Sequence, residues 1–421
     1  LEPLFRVQIL VMSSGERFPL VVDQGGRPCF DVTAFLLRER RPRGVAFNTL
    51  KSHAEAIRFL LTWAAVRQVD VDERLMAGEL LSLAEVEALA GAARLGFEAL
   101  ATEIPQRPKA RRAKAISIER LRKPRAAAAG VAPEVAGTRL RYIADYLDWI
   151  VKERCRKPRR SATGIMPGEV GPLLRARAPK HHARNPDHER EGLSEEAQAT
   201  LLAAVAAGSP DNPFDDREFV RDRNELMVLL FYHVGLRQGE LLKLRITGDH
   251  FNAQKRTITV TRSPDDPTDP RRDQPQAKTN GRTHKLSDGL TKRILDHIVK
   301  HRRLRKHASS HSFLFVSQSG RPLSKSAISN LFKTIRTNVV GLDDTLSPHQ
   351  LRHTFNENLS DMFDASGTSD ENEKKLRAYL NGWSPKSETA ATYLRRRIRD
   401  EAQELGVELQ EKLGKGSATR E

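Results

Sequence analysis

Apolar residues recur at a helical period along most of this 421-residue chain, and two basic, proline-punctuated tracts break that period. The tract 179–190 (PKHHARNPDHER) has no large apolar side chain, so it has no face to bury and reads as a linker. The helical pattern on either side must therefore close two separate cores. In the first part, Leu50, His53, Ile57, Leu60, Leu61 and Ala64 share a face of a helix predicted over 48–66, with Trp63 beside them. Leu140, Ile143, Leu147 and Ile150 point inward from a second helix over 138–153, while Arg139, Arg141 and Lys152 point out. A short helix is predicted over 31–37, and Ser82 caps another running to residue 95. Ahead of these, 5–12 and 17–22 alternate around Ser13-Ser14-Gly15-Glu16, which predicts a β-hairpin. The expected organisation is a hairpin extension at 1–30, a helical domain at 31–178, the linker at 179–192, a second domain at 193–400 and a tail at 401–421.

In the second domain, Ser194 caps a helix whose first turn holds Glu195 and Glu196, where the macrodipole favours acids. A strongly apolar helix over 225–234 is stopped by Gly235 and followed by a short one over 238–244. Strands at 257–260 and 283–286 bracket a long loop rich in Pro and Asp. Further helices are predicted over 289–306, 324–339, 348–362, 371–381 and 385–399. The fold class is mainly α with a small antiparallel β-sheet.

Charge narrows the partner. The formal net charge is +17, and a chain that self-repels so strongly is matched to an anionic partner. Double-stranded DNA is the first candidate, because neutralised phosphates release counterions. A membrane is disfavoured, since no stretch approaches the roughly 20 apolar residues of a span and no basic amphipathic helix stands out. The second tract, 105–125, holds nine basic residues and one acid among three prolines. This density places Arg107, Lys109, Arg111, Arg112 and Lys114 on a DNA backbone, the alternative being a solvated segment. Two distant cysteines, Cys29 and Cys155, form neither a disulfide framework nor a zinc pattern and suit a reducing cytoplasm. The three histidines of 179–190 fit no compact metal-ligand spacing. No cofactor or metal is expected.

Two segments carry chemistry. In 346–355 (LSPHQLRHTF), Ser347 is a good N-cap with Pro348 at the first helical position, which puts His349 and Arg352 on one face. A histidine and an arginine near a positive helix terminus make an anion site that fits a phosphodiester. The other reading is a surface helix that happens to hold both. In 235–244 (GLRQGELLKL), Arg237 follows a glycine stop and is rigidly presented, and its planar fork can hold two phosphate oxygens. The other reading is an ordinary ion pair between Arg237 and Glu240.

Together and in this order, these segments resemble the tyrosine recombinase (phage integrase) family. Arg237 matches the family's first arginine, with Glu240 as its accompanying acid. Lys278 matches the hairpin lysine, on a Thr-Asn-Gly turn, whereas Lys285 lies within the returning strand. His349 and Arg352 match the HxxR box and His353 continues it. Asn381-Gly382-Trp383 looks like the family's Leu-Gly-His, and Tyr393 matches the nucleophile. Of five tyrosines, Tyr393 alone is followed by a basic run, beginning at Arg395, that would hold DNA. Two features depart from the family pattern. The step from Trp383 to Tyr393 is one residue longer than the commoner spacing, and the loop before Lys278 is long.

The resemblance implies a helical core-binding domain and an integrase-type catalytic domain clamping duplex DNA. It implies strand cutting and rejoining through a 3′-phosphotyrosyl link, without metal or ATP. The implied partners are a homo-oligomer, dimer to tetramer, and possible partner recombinases, in the bacterial nucleoid. Its readings are integration, excision or transposition of a mobile element. A catalytically silent DNA-binding relative and a type IB topoisomerase or resolvase are the alternatives.

Overall fold

The computed structural model describes residues 3–102, 130–161, 164–179, 191–263, 266–277, 280–384, 402–403, 405–410 and 412. The chain divides into two units, Leu1–Asp187 and His188–Glu421. Lys278, Tyr393, Arg395, the basic tract 105–125 and the helix predicted over 385–399 lie outside the described residues.

In the first unit, strands β1 (Phe5–Val11) and β2 (Arg17–Asp23) pair antiparallel, from Phe5 opposite Asp23 to Val11 opposite Arg17. The hairpin was expected as an extension, but Phe18 and Val21 are buried in one core with the helices α1 (Phe30–Phe35), α2 (Phe47–Val66) and α6 (Pro133–Arg154). Its apolar face thus forms part of the first unit's core. Helix α2 buries Leu50, Ile57, Leu60 and Trp63, and α6 buries Leu140, Ile143, Leu147 and Ile150, as their periodicity requires. Between α2 and α6 run α3 (Val71–Met76), α4 (Leu83–Ala92) and α5 (Phe97–Thr102). Ser82 and Glu85 close a reciprocal capping box on α4. Helix α7 (Val170–Arg177) packs on α6 and was not read from sequence, because its apolar stripe is only two turns long.

The second unit opens with α8 (Glu195–Val205), capped by Ser194, and then α9 (Glu218–Val234). Helix α9 begins a full two turns before the apolar run that predicted it. The extra turns carry Asp222 and Asn224, both buried; Asn224 accepts from the guanidinium of the adjacent Arg223, while Asp222 depends on distant partners. Asp222 meets His297 at 2.6 Å and Arg293 at 3.0 Å. Gly235 ends α9 in the left-handed conformation (φ +62), and α10 (Gln238–Lys243) follows. A three-stranded antiparallel sheet is built from β3 (Phe251–Asn252), β4 (Thr257–Val260) and β5 (Arg282–Lys285), with β4 central. Buried polar groups help tie down the connection between β4 and β5: Asp269 pairs with Arg271 at 2.8 Å, and Arg271 also donates to the Leu242 and Leu323 carbonyls.

Helices α11 (Asp288–Asp296), α12 (Lys325–Asn338), α13 (Pro348–Ala365) and α14 (Asp370–Asn381) follow. The helix predicted over 289–306 divides: after Asp296 the chain widens into a π turn, His297–His301, from which His297 reaches Asp222. Among the described residues, no helix is long and apolar enough to cross a membrane.

Helix α14 is seated differently from the others. Its buried positions are Glu373, Arg377 and Asn381, a polar stripe at four-residue spacing. Arg377 meets Glu373 at 2.6 Å and the Ser360 hydroxyl at 2.8 Å, and it also donates to the Asn356 carbonyl. The side-chain amides of Asn356 and Asn381 bond each other reciprocally, at 2.8 and 3.1 Å. A buried pair that loses one partner leaves an uncompensated charge at a cost of about 3–5 kcal/mol. Arg377→Ala is therefore expected to destabilise the second unit on that scale, read as a lower urea midpoint by circular dichroism. Substituting both Glu373 and Arg377 with Met should cost much less.

Candidate active site

Helix α13 starts where its local sequence dictates. The Ser347 hydroxyl accepts from the Gln350 N–H at 3.3 Å, and Pro348 occupies the first turn. His349 is left exposed on that turn, and Arg352, one turn on, is 3% exposed. Arg352 can go inside because the interior offers it carbonyls: its guanidinium donates to Gly235 O and, at 2.9 Å, to Asn381 O. The approach to Gly235 requires a glycine, since a Cβ there would lie 2.3 Å from the Phe355 ring of α13. Arg352 also lies 5.6 Å from the centroid of the Trp383 ring.

Arg237 caps the start of α10, just after Gly235. Its NH1 donates to Asn381 O at 3.2 Å and to Glu240 Oε1 at 3.4 Å. Glu240 reaches back to accept the Arg237 backbone N–H at 3.0 Å. The two arginines named from sequence thus converge on one carbonyl, that of Asn381. The ion pair with Glu240, offered as the alternative to a phosphate-holding arginine, coexists with that convergence.

The neighbouring His353 lies close to His349, with Nε2 atoms 3.4 Å apart and ring centroids 4.6 Å apart. One imidazole must donate and the other accept, which depends on their tautomers. Lys285 does not join the cluster. It lies on the outward face of β5, and its ammonium donates to the Lys255 carbonyl at 3.1 Å. Lys278 lies outside the described residues, but the described residues that flank it border the site. The Asn280 N–H donates to Gly382 O at 3.0 Å. The Gln276 carbonyl lies so close to Gly239 that a Cβ on that glycine would stand 2.2 Å from it.

Sequence reasoning missed Arg282 and His284. Both are buried on the inward face of β5. Arg282 grips Glu240 with both terminal nitrogens, at 2.8 and 3.2 Å, while its Nε–H is shared between Leu380 O at 2.7 Å and His284 Nε2 at 2.9 Å. The available signal was alternation: a strand beginning one residue earlier than predicted turns Arg282 and His284 inward together. Among the described residues, no group of three or more His, Cys, Asp or Glu is placed to hold a metal ion.

Residues 213–367 match the model of the phage integrase family. This part of the chain is thus similar to a phage integrase domain. The matched span includes Arg237, Glu240, His349, Arg352 and His353 and ends before Trp383. A curated relative, the tyrosine recombinase XerD of Halalkalibacterium halodurans, is 28% identical over 134 residues, covering 32% of this chain and 39% of that relative. The chain thus spans well under half the length of that protein. Among solved structures, the Tn1549 transposon integrase in complex with transposon right end DNA aligns over 89% of this chain and 99% of that one, at 15% identity and a TM-score of 0.48. A lambda integrase dimer bound to a core site aligns over 86% and 76%, at 16% identity and a TM-score of 0.44.

The buried imidazole makes the site's stability depend on pH. Burial, with the Arg282 charge beside it, lowers the His284 pKa to about 3 from an ordinary value near 6.5. Between these values the unfolded chain binds the proton and the folded one does not, so stability falls as pH drops through that window. The stability advantage of wild type over His284→Gln should therefore shrink steadily from pH 6.5 toward 3. Unfolding midpoints of both proteins at matched pH check this, and parallel pH curves would contradict it.

Proposed function

We propose that this chain is a site-specific DNA recombinase that cuts and rejoins strands through a covalent link to Tyr393. The observation that carries the reading is the convergence of Arg237 and Arg352, from separate helices, on the Asn381 carbonyl. A point where two guanidinium forks aim at one acceptor is where a phosphate oxygen would also be held, and the anion binds more strongly than the neutral carbonyl.

The chemistry needs these residue types. In-line attack on a phosphodiester gathers negative charge on the equatorial oxygens, which Arg237 and Arg352 stabilise as fixed donors. The Tyr393 oxygen forms a bond to phosphorus, and the bond to the 5′ oxygen breaks. Lys278 protonates the departing oxygen, leaving a 3′-phosphotyrosyl link and a free 5′-hydroxyl. His349 takes the tyrosine proton or bonds the phosphate. Trp383, which has only an indole N–H to donate, holds a phosphate oxygen or supports the tyrosine by packing. One ester replaces another, so the step is balanced without ATP. His353 supports His349, and the basic residues Arg107, Lys109, Arg111, Arg112, Lys114 and Arg395 hold the DNA backbone. The protein works on duplex DNA as a dimer to tetramer in the nucleoid, in integration, excision or transposition of a mobile element.

A pool of nicked duplexes with a randomised core tests this across many target sequences at once. In EDTA, wild type should form a denaturation-resistant adduct whose DNA, once sequenced, reveals the site. Tyr393→Phe should form none, and Arg352→Ala should form it about 10²–10³ times more slowly. An adduct that survives Tyr393→Phe, or that needs a divalent metal, would sink the reading. Retention of DNA with no adduct would point to the silent relative.

A further inference from the structure

We propose that Arg282 is a positioning residue that assembles the two-arginine clamp, by tying the start of α10 to the C-terminal end of α14. The proposal rests on the strand-transfer reading above for its catalytic consequence, though not for the coupling itself.

Arg282 is placed for this and for little else. Its side chain is 1% exposed, as deep as the 0% of its partner Glu240. From β5 it reaches two other elements, α10 and α14. It holds the Glu240 carboxylate with two parallel bonds, and that carboxylate in turn holds both the backbone N–H and the guanidinium of Arg237. Its Nε–H reaches Leu380 O. The next carbonyl along, Asn381 O, is the acceptor on which Arg237 and Arg352 meet. His284 completes the arrangement as a neutral acceptor, its proton on the other ring nitrogen.

The logic is one of geometry under desolvation. Helix α14 is seated by a polar stripe, which holds position by directional bonds rather than by apolar area. Its last carbonyls are tied to α10 by Arg237 at the half-exposed rim and by Arg282 in the interior. A planar fork with fixed donor directions can span them, whereas a lysine gathers its donors on one flexible nitrogen and cannot offer two parallel bonds to a carboxylate and a third, divergent one to a carbonyl. Arg282 does not face the reacting atoms. It acts through Arg237 and through the Leu380–Asn381 peptide.

The test uses the full-length protein and two variants, Arg282→Lys, which keeps the charge, and Arg282→Gln, which keeps hydrogen bonding. Thermal melting checks that each folds. Without DNA, amide hydrogen exchange should quicken in the peptides covering 237–243 and 376–383 and stay unchanged in 218–234. With the DNA site selected as above, adduct formation by either variant should fall about 10²-fold, the loss expected for one mispositioned oxyanion donor. Adding the substitution to Arg237→Ala should cost less than it does in wild type, because part of the effect of Arg282 passes through that residue. On a methylphosphonate at the scissile position, which carries no charge for the clamp to neutralise, the deficit should shrink to a few-fold. Unchanged exchange at both helix ends would overturn the coupling, and so would losses that multiply with Arg237→Ala or are equal on charged and uncharged substrates. If wild type forms no adduct at all, the strand-transfer reading fails, and the exchange experiment still decides the coupling.

Discussion

Glu240 holds a negative charge with no exposed side-chain surface, and a charge so placed persists only when surrounded by partners that replace its hydration. Arg282 supplies two of those bonds and Arg237 supplies two more, one from its backbone and one from its fork. Each arginine is held in turn because its carboxylate cannot move. The geometry of the site follows from this one buried anion. It fixes where α10 begins, aims Arg237 at Asn381 O, and binds β5 and α14 to the same point. The arginine pair could not be presented rigidly on exposed side chains, whose rotamer freedom would have to be frozen at the moment a ligand arrives.

Close backbone approach is the second requirement. Gly235 lets α13 come near enough for Arg352 to reach its carbonyl, and Gly239 leaves room for the Gln276 carbonyl. Neither glycine acts chemically. Both remove a methyl group's width from a junction where three segments must touch. The long connection between β4 and β5 belongs to the same design. Pairs such as Asp269 with Arg271 anchor it on Leu242 and Leu323, so the chain that leads toward position 278 starts from a fixed base.

The two units are stabilised in contrasting ways. The first is an apolar core into which a hairpin and helices fold their periodic faces, with Trp63 fully buried near its centre. The second has such a core as well, but its helix α14 is attached by Glu373, Arg377, Asn381 and Asn356. Asn381 stands where the family resemblance sets a leucine, and its amide is satisfied by Asn356 and by the Arg377 carbonyl. A seam of this kind is stable when every member is bonded and weak when one is not. Helix α14 is therefore held in one register by directional bonds among buried polar side chains.

Amino-acid order alone determined the local features: α2 and α6 from their periodic apolar faces, α4 and α13 from Ser82 and Ser347 at their N-caps, and the stop at Gly235. These signals act within one or two turns of chain, so they need no distant partner to be read. The motif residues Arg237, Glu240, His349, Arg352 and Trp383 were legible for the same reason, each lying within a short, recognisable stretch. Tertiary structure decided what distant segments do to one another. It extended α9 over Asp222, whose charge argues against burial until His297 and Arg293 arrive, and it widened the next helix into a π turn at His297, from which that contact is made. It also turned Arg282 inward, a choice of strand register that depends on a carboxylate forty-two residues earlier. A buried polar side chain carries no local signature of its partner, because the bond that makes its burial tolerable exists only once the chain has folded.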